Sequence, residues 1–261
     1  MMKMILRSVC LTVCGTVLLA LASLASAAEI SVVSSGGFAA AYKALCPEFE
    51  KATGDTLKSA WGPSMGDTHN AIPQRLERGE PIDVVIMVGN SLDKLVKEGK
   101  VDPSSTVLLA RSKVALAVKA GAPTPDISTV EALKQTMLNA KSIAYSDSAS
   151  GKYISNVLIP KLGLADALKD KARMIPAEPV GKVVARGEAE IGFQQLSELK
   201  PIEGIHIVGL IPEAVQEVTL FSAGMVKGAK NPESAKALLK YLASPQSSKI
   251  IDDTGLEAAN R

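Results

Sequence analysis

The sequence has 261 residues, of which 47% are hydrophobic and 3% aromatic, with 29 basic and 27 acidic side chains. This length suits one large domain or two modest ones. The lack of a long basic run argues against a nucleic-acid partner, and the scarcity of aromatic side chains disfavours sugars and nucleobases, which stack on aromatic faces. Small anions, held by backbone N–H groups, hydroxyls and helix N-termini, are the ligand class that the composition leaves.

Residues 1–27 are predicted to form a secretory signal peptide. The segment starts with the basic residues Lys3 and Arg7, continues as an apolar run and ends in the small residues Ala-Ser-Ala at 25–27. This pattern places the cleavage before Ala28. A retained membrane anchor is the structural alternative. The sequence therefore predicts a protein that is exported to the periplasm.

The predicted mature chain is uncharged overall and poor in metal ligands. The signal peptide removes two basic residues and two of the three cysteines, which leaves 27 basic and 27 acidic residues and Cys46. One cysteine cannot form an internal disulfide. Together with His69 and His206 it is too few for a thiolate or imidazole metal cluster. We therefore expect no metal and no cofactor, and we expect the protein to be a monomer.

Strands and helices alternate along the chain, which predicts an α/β fold. In the first part of the mature chain, strands are predicted over 29–34, 57–61 and 82–88, and helices over 38–52, 70–78 and 91–98. The strand at 82–88 is a near-continuous apolar run, as in a parallel sheet that is buried on both faces. Pro47 predicts a kink in the first helix or a late start of it.

The second part of the chain continues the same alternation. Strands are predicted over 106–119, with a break at 111–112, and over 142–146, 190–194, 206–211 and 218–226. Helices are predicted over 130–138, 152–162, 164–170, 180–186, 234–243 and 246–252.

Three loops share one design, in which a strand is followed by a Gly/Ser-rich turn and then by a helix. They lie at 34–37, 62–68 and 147–151. In open α/β sheets such loops gather at the carboxyl ends of the strands, where ligands bind. Each loop presents N–H groups and hydroxyls at a helix start, which favours anions. Helix capping alone would give several such loops in any α/β protein, but three in one exported chain indicate an anion site.

Short motifs in a fixed order carry a family resemblance from Ile30 to about Gly255. They are ISVV at 30–33, FEK at 49–51 with Gly54, ERGEPIDV at 77–84, Asp147 with Ser150-Gly151 and Tyr153, KLG at 161–163, EIGF at 190–193, and Tyr241-Leu242 with Pro245-Gln246. In their order and spacing the chain resembles the periplasmic molybdate-binding proteins of ABC importers. No single motif decides the resemblance.

The resemblance implies a two-lobed periplasmic binding protein fold of type II. Each lobe would be a mixed sheet flanked by helices, with the ligand in the cleft between the lobes. Lobe 1 would consist of residues 28–110 and 218–261, and lobe 2 of residues 111–217. The hinge would lie near Arg111 and Val218.

The chain departs from the family at the positions that would bind molybdate. The oxyanion serine of the first loop falls on Gly37, the tyrosine after the late strand aligns with Gln195, and the small residue of the third loop is Ser150. The second loop is longer and carries four polar residues, which are Ser64, Asp67, Thr68 and His69. Ionisable groups border the predicted cleft, namely His69, Lys152 and either Arg75 or Arg111. Because Arg and Lys pair with carboxylates through charge-assisted bonds, this pattern suits a larger carboxylate better than molybdate.

Two functions therefore stay open at this point. The first is a receptor that captures a small anion and delivers it to the permease of an ABC importer. The second is an enzyme, because aconitate isomerases resemble this family, carry secretion signals and interconvert trans- and cis-aconitate without a cofactor. That reaction is an allylic proton shift, which needs a base, an acid and cations for three carboxylates. The substitutions, with a histidine in the lengthened loop, tilt the choice slightly towards a tricarboxylate isomerase, although a carboxylate receptor without catalysis would show the same residues.

Site residues are assigned on the isomerase hypothesis. The candidate catalytic residues are His69 as base or acid and Tyr153 or Lys152 as its partner. The candidate ligand-binding residues are Ser35, Gly37, Ser64, Met65, Thr68, Arg75, Arg111, Ser150, Gly151, Val180, Gln194 and Gln195. Structural alternatives exist for several of them, since His69 could cap a helix, Tyr153 could belong to the core and Arg111 could stabilise the hinge.

Overall fold

The computed structural model describes residues 27–260, so the predicted signal peptide, except for Ala27, lies outside the described residues. The described strands are β1 (Glu29–Ser34), β2 (Thr56–Trp61), β3 (Val84–Val88), β4 (Val107–Lys119), β5 (Ile143–Ser146), β6 (Ala172–Ile175), β7 (Ile191–Gln195), β8 (Ile205–Leu210), β9 (Val218–Met225) and β10 (Glu257–Ala258).

Helices separate most of these strands. They are α1 (Gly36–Thr53), α2 (Ile72–Glu77), α3 (Gly89–Lys97), α4 (Val130–Asn139), α5 (Ala149–Tyr153), α6 (Ile159–Lys161), α7 (Ala165–Leu168), α8 (Val180–Ala185), α9 (Leu196–Leu199), α10 (Pro232–Leu242) and α11 (Pro245–Asp253). A π-helical segment, Ile154–Leu158, joins α5 to α6. Within the described range, no helix is both long enough and apolar enough to span a membrane.

The strands form one mixed sheet in the order β2-β1-β3-β9-β4-β7-β5-β6, and β8 and β10 also pair with β4. Strand β4 is shared by two lobes. Its residues up to Lys113 pair with β9, and from Val114 onward it pairs with β7. This arrangement is the two-lobed α/β fold that the sequence predicts. The predicted lobe boundaries at 110/111 and 217/218 remain predictions, and the change of strand pairing falls a few residues beyond the first of them.

Each lobe has its own hydrophobic core. In the first lobe, Phe38, Leu45 and Phe49 of α1 are buried against β1, β3 and β9. Their helical spacing gives α1 one apolar face, and burying each such side chain contributes about 1.5–3 kcal/mol. In the second lobe, Leu116 of β4 and Phe193 of β7 pack among the helices. Two separate cores leave a cleft between them, where the strand ends meet.

Several features differ from the sequence prediction. Helix α1 starts at Gly36 and passes through Pro47 without a break, because the packing of its apolar face outweighs the lost backbone hydrogen bond. Strand β4 is continuous where a break was predicted at 111–112, because its backbone groups exchange one partner strand for another. The short elements β6, α9 and β10 were not predicted.

Candidate functional site

Two adjoining cavities lie in the cleft between the lobes. The small cavity has a volume of about 20 Å³, and the large cavity about 500 Å³. Both are lined by Val88 and Ala149, so they lie side by side. All three Gly/Ser-rich loops predicted from the sequence contribute to the small cavity, through Ser35, Ser64 and Ser148. The strand–turn–helix pattern thus converges on one place in the fold.

The start of α1 offers donors to an anion. Ser35 occupies the N-cap position, but its hydroxyl makes no capping hydrogen bond. The Ser35 Oγ atom is buried, has no hydrogen-bond partner and belongs to the lining of the small cavity. The first N–H groups of a helix lack intrahelical partners and carry the positive end of its dipole. Burying a hydroxyl without a partner costs about 1–3 kcal/mol. A ligand that hydrogen-bonds to Ser35 would remove this cost.

Two glycines allow other groups to approach the start of α1. A Cβ atom on Gly37 would lie 2.1 Å from Cζ of Phe221, which comes from β9. A Cβ atom on Gly36 would lie 2.3 Å from Oε1 of Glu198. The Phe221 ring therefore occupies the space that a serine at position 37 would need. The hydroxyl on this turn is supplied by Ser35.

Ser64 is held in position by the neighbouring strand. Its Oγ atom accepts a hydrogen bond from the N–H of Val88 at 3.0 Å, and the side chain is buried. Because the hydroxyl oxygen is the acceptor in this bond, its own hydrogen can point to an anion in the small cavity. Met65, the next residue, lines the large cavity.

The third loop forms a network of serine hydroxyls. Oγ of Ser146 lies 2.9 Å from Oγ of Ser148 and 3.1 Å from Oγ of Ser150. It also accepts the N–H of Gly151 at 3.2 Å. Gly151 has no room for a side chain, since a Cβ atom would lie 1.6 Å from the carbonyl oxygen of Ser146. Ser148 lines the small cavity, whereas Ser150 and Gly151 support it from behind.

Two glutamines follow one another at the end of β7. Gln195 lines the small cavity and donates from Nε2 to Oγ1 of Thr219 at 2.8 Å, while its Oε1 is buried without a partner. A half-turn of this amide would let Thr219 act as donor and would direct the NH₂ group towards an anion. Gln194 accepts the N–H of Val180 at 2.9 Å through Oε1. Val180 is buried behind the cleft and lines neither cavity.

Glu198 is a cleft residue that the sequence reasoning missed. It lies on α9 and lines the small cavity, with its carboxylate next to the start of α1. Burial raises the pKa of Glu198 to about 7, a hydrogen bond from Gln194 offsets part of this rise, and the nearby charge of Asp147 adds to it. A carboxylate shortly after the carboxyl end of a buried strand was the signal in the sequence that could have found it.

Two of the candidate catalytic residues, Lys152 and Tyr153, line the large cavity. The Tyr153 hydroxyl donates to the carbonyl oxygen of Val215 at 2.6 Å. Burial raises the pKa of Tyr153, and the charge of Glu217 adds to the rise. Lys152 is exposed, and it is the one cationic residue among the described residues that line either cavity.

Four other candidates line neither cavity. His69 and Thr68 are exposed on the segment between β2 and α2. Arg75 donates to Oε2 of Glu80 at 2.8 Å and to the carbonyl oxygen of Asn70 at 3.0 Å. Arg111 is exposed on β4, beside β10. Their ligand or catalytic roles stay predictions. Each such role would require the residue to move towards the cleft.

Helix α9 joins the two lobes across the cleft. The Ser197 hydroxyl donates to the carbonyl oxygen of Gly37 at 2.7 Å, and Nζ of Lys200 donates to the carbonyl oxygen of Asp253 at 2.6 Å. Leu196 packs against Gly255. These contacts fix Glu198 in its position beside α1.

Two lobes that share a crossing strand, with unpartnered polar groups in the cleft between them, define a solute-binding protein. The chain belongs to the bacterial extracellular solute-binding protein family, whose model it matches over residues 30–257.

Relatives within this group have different names. The chain is 55% identical over 246 residues to the aconitate isomerase of Pseudomonas sp, covering 93% of this chain and 94% of that protein. It is 29% identical over 245 residues to the molybdate-binding protein ModA of Azotobacter vinelandii, covering 90% and 92%.

Solved structures show the same fold. The periplasmic molybdate-binding protein of Azotobacter vinelandii superposes with a TM-score of 0.69 at 22% identity, covering 87% of this chain and 98% of that one. The sulfate-binding protein SubI of Mycobacterium tuberculosis gives a TM-score of 0.67 at 18% identity, covering 89% and 87%. At these identities the likeness concerns the fold alone.

Proposed function

We propose that this protein is an aconitate isomerase, which interconverts trans- and cis-aconitate in the cleft between its lobes. The observation that carries this proposal is the 55% identity to an aconitate isomerase over 93% of the chain. The cleft supports it, because buried polar groups without partners line its small cavity and a large cavity adjoins them. A substrate with several carboxylates would extend through both.

The small cavity would hold one carboxylate of the substrate. The hydroxyls of Ser35 and Ser64, the amide of Gln195 and the N–H groups at the start of α1 would donate to it. Hydrogen bonds to a charged group contribute about 1.5–3 kcal/mol each, and the helix dipole adds about 0.3–1 kcal/mol. Lys152 would pair with a second carboxylate in the large cavity.

The reaction moves one proton and one double bond. A base removes a proton from the methylene carbon, and the electron pair of that C–H bond becomes part of a delocalised dienolate. A proton then returns to the carbon that was vinylic, so that the double bond ends up in the other arm. The donors at α1 would stabilise the negative charge that spreads onto the adjacent carboxylate.

His69, Lys152 and Tyr153 are the proton carriers predicted from the sequence. Lys152 and Tyr153 line the large cavity, whereas His69 is exposed. For His69 to act, the loop that holds Ser64 and Met65 would have to fold further over the bound substrate. We place the working protein in the periplasm, after cleavage before Ala28.

A receptor for a small oxyanion, working with an ABC importer permease, is the second candidate. The 29% identity to a molybdate-binding protein and the hydroxyl-rich small cavity favour it. The higher identity to an aconitate isomerase, 55% against 29%, favours the enzyme over this receptor.

Turnover separates the two functions. The purified chain is mixed with trans-aconitate and the formation of cis-aconitate is followed by absorbance, while thermal shift is measured with molybdate and with trans-aconitate. We expect turnover, and stabilisation by trans-aconitate. Stabilisation by molybdate without any turnover of aconitate would instead support the receptor.

A further inference from the structure

The small cavity contains a carboxyl group to which the proposed function has assigned no role. Glu198 is the one carboxylate among the described residues that line this cavity, and its Oε1 lies against Gly36 at the start of α1. The same turn carries the unpartnered hydroxyl of Ser35. An acid or base is thus placed next to the donors that would hold a substrate carboxylate.

We propose that Glu198 is the catalytic residue that removes and returns the proton in the isomerisation, an inference that rests on the proposed function. The carbon acid is adjacent to the carboxylate that receives the negative charge. A base must therefore stand beside the donors that hold this carboxylate. Glu198 lies beside these donors, on helix α9 of the lobe that does not contain α1.

The step conserves protons and electrons. The Glu198 carboxylate takes the methylene proton as the C–H bond breaks, and the electron pair moves into the conjugated carboxylate. The Glu198 carboxylic acid then gives a proton to the former vinyl carbon, where a new C–H bond forms. The side chain ends in its starting state, and no oxidant, reductant or cofactor is consumed.

The surroundings of Glu198 suit both halves of this step. Burial raises its pKa to about 7, so the acid and base forms are both accessible near neutral pH. The groups that face it are Gln194 of β7, which hydrogen-bonds the carboxyl, and Asp147 of the β5–α5 loop, whose charge raises the pKa. The first turn of α1, which also faces Glu198, contains no acidic residue. Gln194 is itself fixed by the N–H of Val180 at 2.9 Å.

The alternative carriers are placed less favourably. The Tyr153 hydroxyl already donates to the carbonyl oxygen of Val215. Lys152 lines the large cavity and not the small one, and His69 is exposed. These positions suit the binding of a second carboxylate or closure over the substrate better than transfer of the proton beside α1.

The test uses Glu198→Gln, which keeps the size of the side chain and an oxygen to accept from Gln194, and Glu198→Asp, which shortens its reach. Glu203→Gln is the matched control, because Glu203 is exposed in the same lobe and lines neither cavity. Turnover of trans-aconitate, its binding by calorimetry and the pH profile of kcat/KM are measured for each variant and for the wild-type chain.

We expect Glu198→Gln to lower kcat/KM by at least about 100-fold, with trans-aconitate still bound. Glu198→Asp should retain an intermediate rate, and Glu203→Gln should behave as the wild-type chain does. The wild-type profile should rise with pH through the region near 7. Turnover by Glu198→Gln within about threefold of wild type would overturn the assignment and leave the isomerase function intact. A wild-type chain that does not turn over aconitate would overturn both.

Discussion

Ser35 and Ser112 are both buried serines whose hydroxyls have no hydrogen-bond partner, but Ser35 lines the small cavity and Ser112 lines neither of the two cleft cavities. Under the proposed function, Ser35 would bind the ligand, whereas Ser112 is only buried. Ser35 and Ser64 were predicted from the order of strand, turn and helix, and Gln195 from the family resemblance; all three meet at the small cavity. Single residues at strand ends are thus the part of the site that the sequence makes visible.

Ser35→Ala should weaken binding of trans-aconitate by about 10- to 100-fold, because a hydrogen bond to a charged carboxylate contributes about 1.5–3 kcal/mol. The free energy of unfolding should stay the same or rise slightly, since the hydroxyl has no partner to lose. Binding by calorimetry and urea denaturation check the two expectations. Ser112→Ala is the control, and equal effects of both variants on binding would argue against a ligand at Ser35.

Glu198 marks the limit of prediction for single residues. The position of Glu198 shortly after the end of β7 is visible in the sequence, but the direction of its side chain into the cleft is not. That placement depends on Ser197, which bonds the carbonyl oxygen of Gly37 in the other lobe. A contact over this separation in the chain arises only from tertiary packing.

Short elements escaped prediction for a related reason. Helix α9 and strand β6 have four residues each. Isolated helices of this length are unstable, so no local pattern specifies them. Helix α1 shows the reverse case, since Pro47 suggested a kink or a late start, but the helix begins at Gly36 and buries Phe38, Leu45 and Phe49. Long elements with a clear apolar period were predicted. The short ones depend on tertiary contacts, β6 on its pairing with β5 and α9 on its hydrogen bond to Gly37.

The close packing of α1 against β9 gives a prediction about the stability of the fold. Gly37→Ala should lower the free energy of unfolding by about 1–3 kcal/mol, because the new methyl group overlaps the Phe221 ring. Gly89→Ala at the start of α3 is the control, since its nearest neighbour would lie 3.4 Å away. Urea denaturation measures both. If Gly37→Ala were as stable as Gly89→Ala, the close packing of Phe221 on α1 would be wrong.

At the scale of the whole molecule, the alternation of strands and helices sufficed to predict the α/β class, whereas the two lobes were predicted from the family resemblance. The relation between the lobes could not be read from the sequence. It depends on β4, which serves both lobes, and on α9, which bonds across the cleft.

The raised pKa of Glu198 should make the stability of the whole molecule depend on pH. The folded pKa of about 7 lies above the ordinary value of 4.5, so the folded state binds this proton more tightly than the unfolded state does. The stabilising contribution of the protonated group is therefore complete below pH 4.5 and is lost as the pH rises towards 7. Relative to Glu198→Gln, the wild-type chain should lose roughly 2–3 kcal/mol between pH 5 and pH 8.

Urea denaturation of the wild-type chain and of Glu198→Gln at both pH values measures this difference, and Glu203→Gln serves as the control for an exposed carboxylate. A difference in unfolding free energy that is the same at pH 5 and pH 8 would mean that Glu198 has an ordinary pKa.

The conversion of trans-aconitate is the most direct measurement of what this protein does. The purified mature chain is mixed with trans-aconitate in deuterated water, and the proton NMR spectrum is followed with time. The account predicts that the trans-aconitate signals decay, that cis-aconitate signals grow, and that deuterium enters the methylene position as protons exchange with the solvent. Unchanged trans-aconitate signals, in a sample where calorimetry shows that trans-aconitate is bound, would contradict the isomerase function and leave a receptor.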